Sequence, residues 1–70
     1  MIDHVLHNDV KAARARKGYS QSELAEACDV TRQTIASIEK GDYSPSVMLA
    51  LRLSLALNVP VNELFWLKEK

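Results

Sequence analysis

The sequence predicts an all-α domain of five short helices, the second and third joined by a tight turn. Three observations carry this expectation. Aromatic and β-branched residues form no alternating runs after residue 7, so no stretch beyond it reads as a strand. The two glycines and two prolines fall where a helical chain needs punctuation. Residues suited to capping helix starts recur just ahead of apolar positions at helical spacing.

The first helix is expected from residue 8 or 9 to residue 17, with Asn8 as its N-cap and Gly18 ending it in a left-handed conformation. Ser20-Gln21-Ser22-Glu23 reads as a capping box, in which Ser20 and Glu23 satisfy each other's backbone N–H groups. A second helix follows to about Cys28, burying Leu24, Ala25 and Cys28. Asp29-Val30-Thr31 has room only for a turn. Thr31 caps a third helix over residues 32 to 40, stopped by Gly41. Two helices of about eight residues with so short a join are the helix-turn-helix signature. After the loop Asp42-Tyr43-Ser44-Pro45, Ser46 caps a fourth helix reaching Leu57, with Asn58 closing it. Val59-Pro60 separates it from a fifth helix, expected over residues 61 to 68.

Bulk composition sets bounds on this reading. Seventy residues make one small domain whose core supplies a few kcal/mol of net stability. A single cysteine, Cys28, excludes an intrachain disulfide, so oligomerisation is an attractive second source of stability. No apolar run reaches the roughly 18 residues of a membrane span. The N-terminal residues lack the basic start and long apolar run of a signal peptide, so a cytoplasmic protein is expected. The formal net charge is zero, which is unusual for a protein that grips phosphates. Any such affinity must come from where the cations sit.

The motifs R-x-x-K-G-Y-S-Q-S-E-L-A (14 to 25), V-T-R-Q-T-I-A-S-I-E-K-G (30 to 41), Y-S-P-S (43 to 46) and A-L-N-V-P-V-N-E-L-F (56 to 65) agree in order and spacing with a known family. From about Asn8 to Leu67 the chain resembles the Cro and phage-repressor type of helix-turn-helix, the Xre family. The resemblance implies a compact, lambda-repressor-like DNA-binding domain over residues 8 to 70, preceded by an arm over residues 1 to 7. Three positions depart from the family pattern. Ala13 replaces a larger apolar residue, Asp29 takes a turn position that is commonly glycine, and Pro60 replaces a Ser or Thr cap.

The third helix is then the recognition helix, its N-terminal residues reaching base edges in the major groove of double-stranded DNA. Arg32 and Gln33 are the expected base readers, because arginine pairs bidentately with guanine and glutamine with adenine, and Thr34 and Ser37 lie on a similar face. Outside such a motif, Arg32 and Gln33 would be solvated polar residues opening a helix. Gln21 opens the second helix, where free N–H groups favour an anion, and in look-alikes it clamps a phosphate. Lys40, Tyr43 and Ser44 are backbone-contact candidates on the other flank, with Lys17 and Arg16 as weaker ones. The resemblance makes Arg14 and Glu39 a buried ion pair that joins the first and third helices and fixes geometry. Ile35 and Ile38 belong to the core with Leu24, Val30, Leu53 and Leu57, and Cys28 reads as a small core residue rather than a redox sensor. His4 and His7 lack the further ligands that a metal site needs.

The fourth helix carries two apolar stripes. Leu49, Ala50, Leu53, Ser54 and Leu57 form one, and Met48, Leu51 and Leu55 lie nearly opposite. Leu64-Phe65-Trp66-Leu67 crowds a short helix that cannot turn all four inward. Met48, Leu51, Leu55, Trp66 and Leu67 are therefore expected to build a two-fold homodimer interface. Ile2, Val5 and Leu6 suit an arm, a helix extension or a strand crossing to the partner. The function expected is a transcriptional regulator, a repressor above all, bound to a palindromic operator. The alternatives are an antitoxin or restriction–modification controller using the same domain, with a toxin or other regulator as protein partner, and an adaptor without DNA binding. No nucleophile–base pair, metal cluster or phosphate-cradling glycine loop supports an enzyme, and no cofactor is implied.

Overall fold

The computed structural model describes residues 3–70, so Ile2 lies outside the described part of the proposed arm. The chain runs β1 (His4–Asn8), α1 (Val10–Lys17), α2 (Gln21–Ala27), α3 (Arg32–Lys40), α4 (Val47–Leu57), α5 (Val61–Leu64) and β2 (Phe65–Glu69). The first four helices follow the sequence closely because their ends are chemically specified. Ser20 accepts from Glu23 N–H at 3.0 Å while Glu23 accepts from Ser20 N–H at 2.8 Å, a complete capping box. Thr31 and Ser46 cap α3 and α4 through Thr34 N–H and Leu49 N–H. Gly18, Gly41 and Asn58 adopt left-handed conformations at the C-terminal ends of α1, α3 and α4. Asp29, with φ 58°, takes the left-handed turn position that the missing glycine would have filled.

Two expectations need correction, and both concern the ends of the chain. At the start of α1, Asp9 occupies the cap position instead of Asn8. The Asn8 side chain still accepts from Val10 N–H at 3.0 Å, so it serves the helix start from one residue further out. The larger correction is to the all-α class. The fifth helix stops at Leu64, and Phe65–Glu69 turns into a strand paired antiparallel with His4–Asn8. The register sets Leu6 against Leu67 and His7 against Trp66, whose rings stack with centroids 6.4 Å apart. Phe, Trp and Leu are good strand residues once a partner strand exists. That partner lies 57 to 65 positions away along the chain, beyond the reach of a local reading.

The core is one cluster of Val10, Ala13, Leu24, Ala25, Cys28, Ile35, Ile38, Leu49, Leu53, Leu57 and Leu64, drawn from all five helices. Tyr19, Val30, Ala56, Val59 and Phe65 pack against it from the rim. Cys28 is fully buried, and that burial pushes its thiol up, which leaves it a poor nucleophile. The terminal ribbon is tied to this body at its base. Asp9 N–H donates to Leu64 O, and the Asn8 amide donates to Ile38 O at 2.9 Å. A two-stranded ribbon is marginal by itself, so these ties matter.

Candidate nucleic-acid interface

The turn between α2 and α3 is rigidly built. Val30 N–H returns to Ala25 O at 3.0 Å, Asp29 holds a positive φ, and Val30 tucks its side chain against the core. The start of α3 is thereby projected from the body with Arg32 and Gln33 exposed and Thr34 and Ser37 half-buried beside them. Gln33 Nε2 donates to Ser37 Oγ at 3.4 Å, one helical turn on. Thr34 is engaged locally, its hydroxyl 3.0 Å from that of the capping Thr31. Gln33, Thr34 and Ser37 line a shallow groove with Asp42 and Tyr43. Asp42, which in the sequence is only the first residue of a loop, belongs to this surface as well. Its N–H donates to Ser37 O at 2.9 Å, which with Gly41 N–H to Ile38 O completes the turn that the left-handed Gly41 makes at the end of α3.

Behind this surface lies a connected set of polar groups. Arg14 Nε donates to Glu39 Oε2 at 2.7 Å, and the pair is largely buried, with side-chain exposures of 16% and 5%. Its NH2 reaches Glu39 Oε1 at 3.3 Å and its NH1 donates to Tyr19 O at 2.9 Å. The hydrogen bond to Glu39 holds the Arg14 guanidinium above its ordinary pKa, against the opposing effect of burial. Glu39 Oε1 also accepts from Gln21 Nε2 at 3.0 Å, and Gln21 Oε1 accepts from Arg32 NH1 at 3.2 Å. The ion pair inside the domain is thus linked through Gln21 to the first residue of α3. No side-chain polar atom in the buried, described part of the protein is left without a partner.

The flanking candidates are less engaged. Lys17, Lys40, Tyr43 and Ser44 are exposed, and Arg16 is drawn into a surface pair with Asp9 at 3.1 Å. Glu39 and Asp9 pair with Arg14 and Arg16, while Arg32, Lys17 and Lys40 are exposed to solvent. His4 and His7, three apart on a strand, lie on opposite faces of the ribbon. Among the described residues no cluster of three or more His, Cys, Asp or Glu side chains forms.

A helix-turn-helix family model matches residues 10–64, which spans α1 to α5. The chain belongs to the Xre/Cro-type helix-turn-helix family. Its relatives carry the same description. An uncharacterized HTH-type transcriptional regulator of Bacillus subtilis strain 168, YgzD, is 52% identical over 93% of this chain and 98% of its own. Among solved structures, the restriction–modification controller protein C.AhdI from Aeromonas hydrophila superposes with a TM-score of 0.72 at 30% identity, over 77% of this chain and 82% of that one. The N-terminal DNA binding domain of SinR from Bacillus subtilis does so at 0.70 and 39% identity, over 76% and 78%. Among the described residues no helix is long and apolar enough to cross a membrane.

The dimer-interface candidates divide into two surfaces. Met48, Leu51 and Leu55 are exposed on α4, at 63%, 49% and 82%, together with Val47. Trp66 and Leu67 stand on β2 instead of a helix and so point to opposite faces of the ribbon, Trp66 half-buried on His7 and Leu67 61% exposed.

Proposed function

We propose that this chain is a transcriptional regulator that binds a palindromic DNA operator as a homodimer, inserting α3 into the major groove. The observation that carries the reading is the start of α3. Arg32 and Gln33 project from a turn braced on both sides, and Arg32 is held by Gln21 rather than neutralised by an acid. In this reading Arg32, Gln33, Thr34 and Ser37 face base edges, and Gln21, Lys17, Lys40, Tyr43 and Ser44 approach phosphates. Arg14 and Glu39 take no part in contact and hold α1 and α3 in register. A dimer sets two recognition helices about 34 Å apart, one helical turn of DNA. Exposed apolar side chains on α4 and on the ribbon offer the surfaces for it. In this reading the protein acts in the cytoplasm and represses by occupying its operator.

A second reading is favoured by the likeness to a restriction–modification controller protein. In that case the same contacts would regulate a linked operon, as they would for an antitoxin. The deciding experiment is a mobility-shift titration against the DNA upstream of its own gene at two salt concentrations. Tight, sequence-dependent binding weakened by salt supports the regulator. Binding no better than to random DNA, with Arg32→Ala and Gln33→Ala having no effect, overturns it in favour of a protein-interaction adaptor.

A further inference from the structure

The ribbon of β1 and β2 has two free edges, and its register says which backbone groups they carry. Asp9 N–H donates to Leu64 O at 3.0 Å, and Lys70 N–H to Asp3 O at 3.1 Å. Bonded and non-bonded pairs alternate along an antiparallel ladder. The unbroken register between those two bonds makes His7–Trp66 and Val5–Lys68 the bonded pairs. The main-chain N–H and C=O groups of Leu6 on β1, and of Leu67 and Glu69 on β2, therefore point away from the ladder. Phe65 also offers its C=O outward, while its N–H is taken by Val61 O.

The two edges are not equivalent. The β1 edge runs beside the body: Val5, Leu6, His7 and Asn8 share a groove with Glu39, Lys40 and Gly41, and Asn8 is tied to Ile38 O. The β2 edge has Leu67 at its centre, 61% exposed, followed by the exposed Lys68 and Glu69. Neither a proline nor a bulge interrupts it, and its charges, Lys68 and Glu69, lie to one side of Leu67.

We propose that β2 pairs antiparallel with β2 of a second copy of this chain, across a two-fold axis at Leu67, giving a four-stranded sheet in the order β1–β2–β2–β1. Charge and hydrogen bonding select this register. An axis at Lys68 would set two ammonium groups directly opposite each other. An axis at Trp66 would make Phe65, whose N–H is already bonded within its own chain, a member of every bonded pair, whereas an axis at Leu67 keeps the central Leu67 pair free of it. With the axis at Leu67 all five residues of β2 are paired, and each Lys68 lies opposite the partner's Trp66, a cation beside an indole face. The contact is isologous and closes on itself, so it makes dimers and not fibres. It also turns a marginal two-stranded ribbon into a four-stranded sheet, beyond the three strands that an independently stable sheet needs. This inference deepens the dimer of the proposed function, yet it can be read in the absence of DNA.

The test uses two single variants and the unaltered protein. Directly opposed residues of a bonded pair have Cα atoms about 5.5 Å apart, within disulfide reach. Leu67→Cys under mild oxidation is expected to give a covalent dimer on a non-reducing gel, whereas the parent protein, whose Cys28 is buried, stays uncrosslinked. Leu67→Pro removes the outward N–H and spares every ladder bond, so circular dichroism should be unchanged. Its dimer dissociation constant in sedimentation equilibrium should rise by about tenfold or more. A parent protein that remains monomeric at high concentration overturns the proposal. So does a dimer indifferent to Leu67→Pro, or one crosslinked by Leu55→Cys on α4 and not by Leu67→Cys. A dimer that crosslinks at residue 67 yet shows no specific DNA binding upholds the sheet and counts against the regulator reading instead.

Discussion

Gln21 holds Arg32: the glutamine side-chain oxygen accepts from the guanidinium at 3.2 Å, although the two residues belong to different helices. The amide nitrogen of the same glutamine donates to Glu39 at 3.0 Å, and Glu39 is fixed in turn by Arg14. Amide orientation follows from this arrangement. With its N–H side committed to a carboxylate, Gln21 must present oxygen to Arg32, which orders a long side chain before any DNA arrives.

The first prediction concerns that ordering. Arg32→Ala should cost about 1–3 kcal/mol of operator affinity and relax preference at one base position. Gln21→Ala should weaken operator binding while leaving the base preference in place, because it disorders Arg32 without removing it. Competition mobility shifts against single-base operator variants separate the two. A Gln21→Ala protein with altered base preference would contradict the assignment.

The ion pair itself should matter for stability far more than for contact. Glu39→Ala leaves a largely buried Arg14 without its partner and removes the acceptor of Gln21. Loss of one partner from such a pair costs about 3–5 kcal/mol, much of what a domain of this size has to spare. Urea denaturation measures it. Replacing both residues together, Arg14→Met with Glu39→Leu, should recover a good part of the loss, since burying two charges is itself unfavourable.

The capping box gives a pH signature. The Glu23 carboxyl is held below its ordinary pKa, first by the Ser20 backbone N–H it accepts from and then by the Ser20 hydroxyl. A carboxyl with a depressed folded-state pKa contributes stability above its unfolded pKa and loses it as pH falls through the folded value. The parent protein should therefore be more stable than Glu23→Ala at neutral pH, and the difference should shrink as pH drops below the ordinary carboxylate range. Thermal melts at a series of pH values decide this, and a gap that persists in acid rules out the charged cap. Ser20→Ala, which removes the other half of the box, should cost about 0.5–2 kcal/mol.

Asp29 offers a gain in place of a loss. Its φ of 58° is one that side chains with a Cβ adopt at a cost. Asp29→Gly should stabilise the domain by about 0.5–1 kcal/mol, the strain relieved being partly offset by the greater freedom of glycine when unfolded. A lower melting temperature for Asp29→Gly would show that the aspartate side chain does more for the turn than its backbone costs.

Much of this protein is legible in its sequence, and the reason is physical. The capping box at Ser20 and Glu23, the caps Thr31 and Ser46, and the closing residues Gly18, Gly41 and Asn58 act within a few residues of themselves, so the chain's local order determines α1 to α4 and the turn between α2 and α3. The apolar spacing likewise determined that Leu24, Ile35, Ile38, Leu53 and Leu57 are buried together. Only the tertiary structure decided the ends. Residues 61 to 68 satisfy a helical pattern when read alone, and Phe65–Glu69 becomes a strand because His4–Asn8 is there to pair with it. The same holds for the bonds Gln21–Glu39 and Gln21–Arg32, which join positions 18 and 11 apart. Contacts that carry no local spacing rule exist only once the helices have packed, and in this protein they include the ones that aim Arg32.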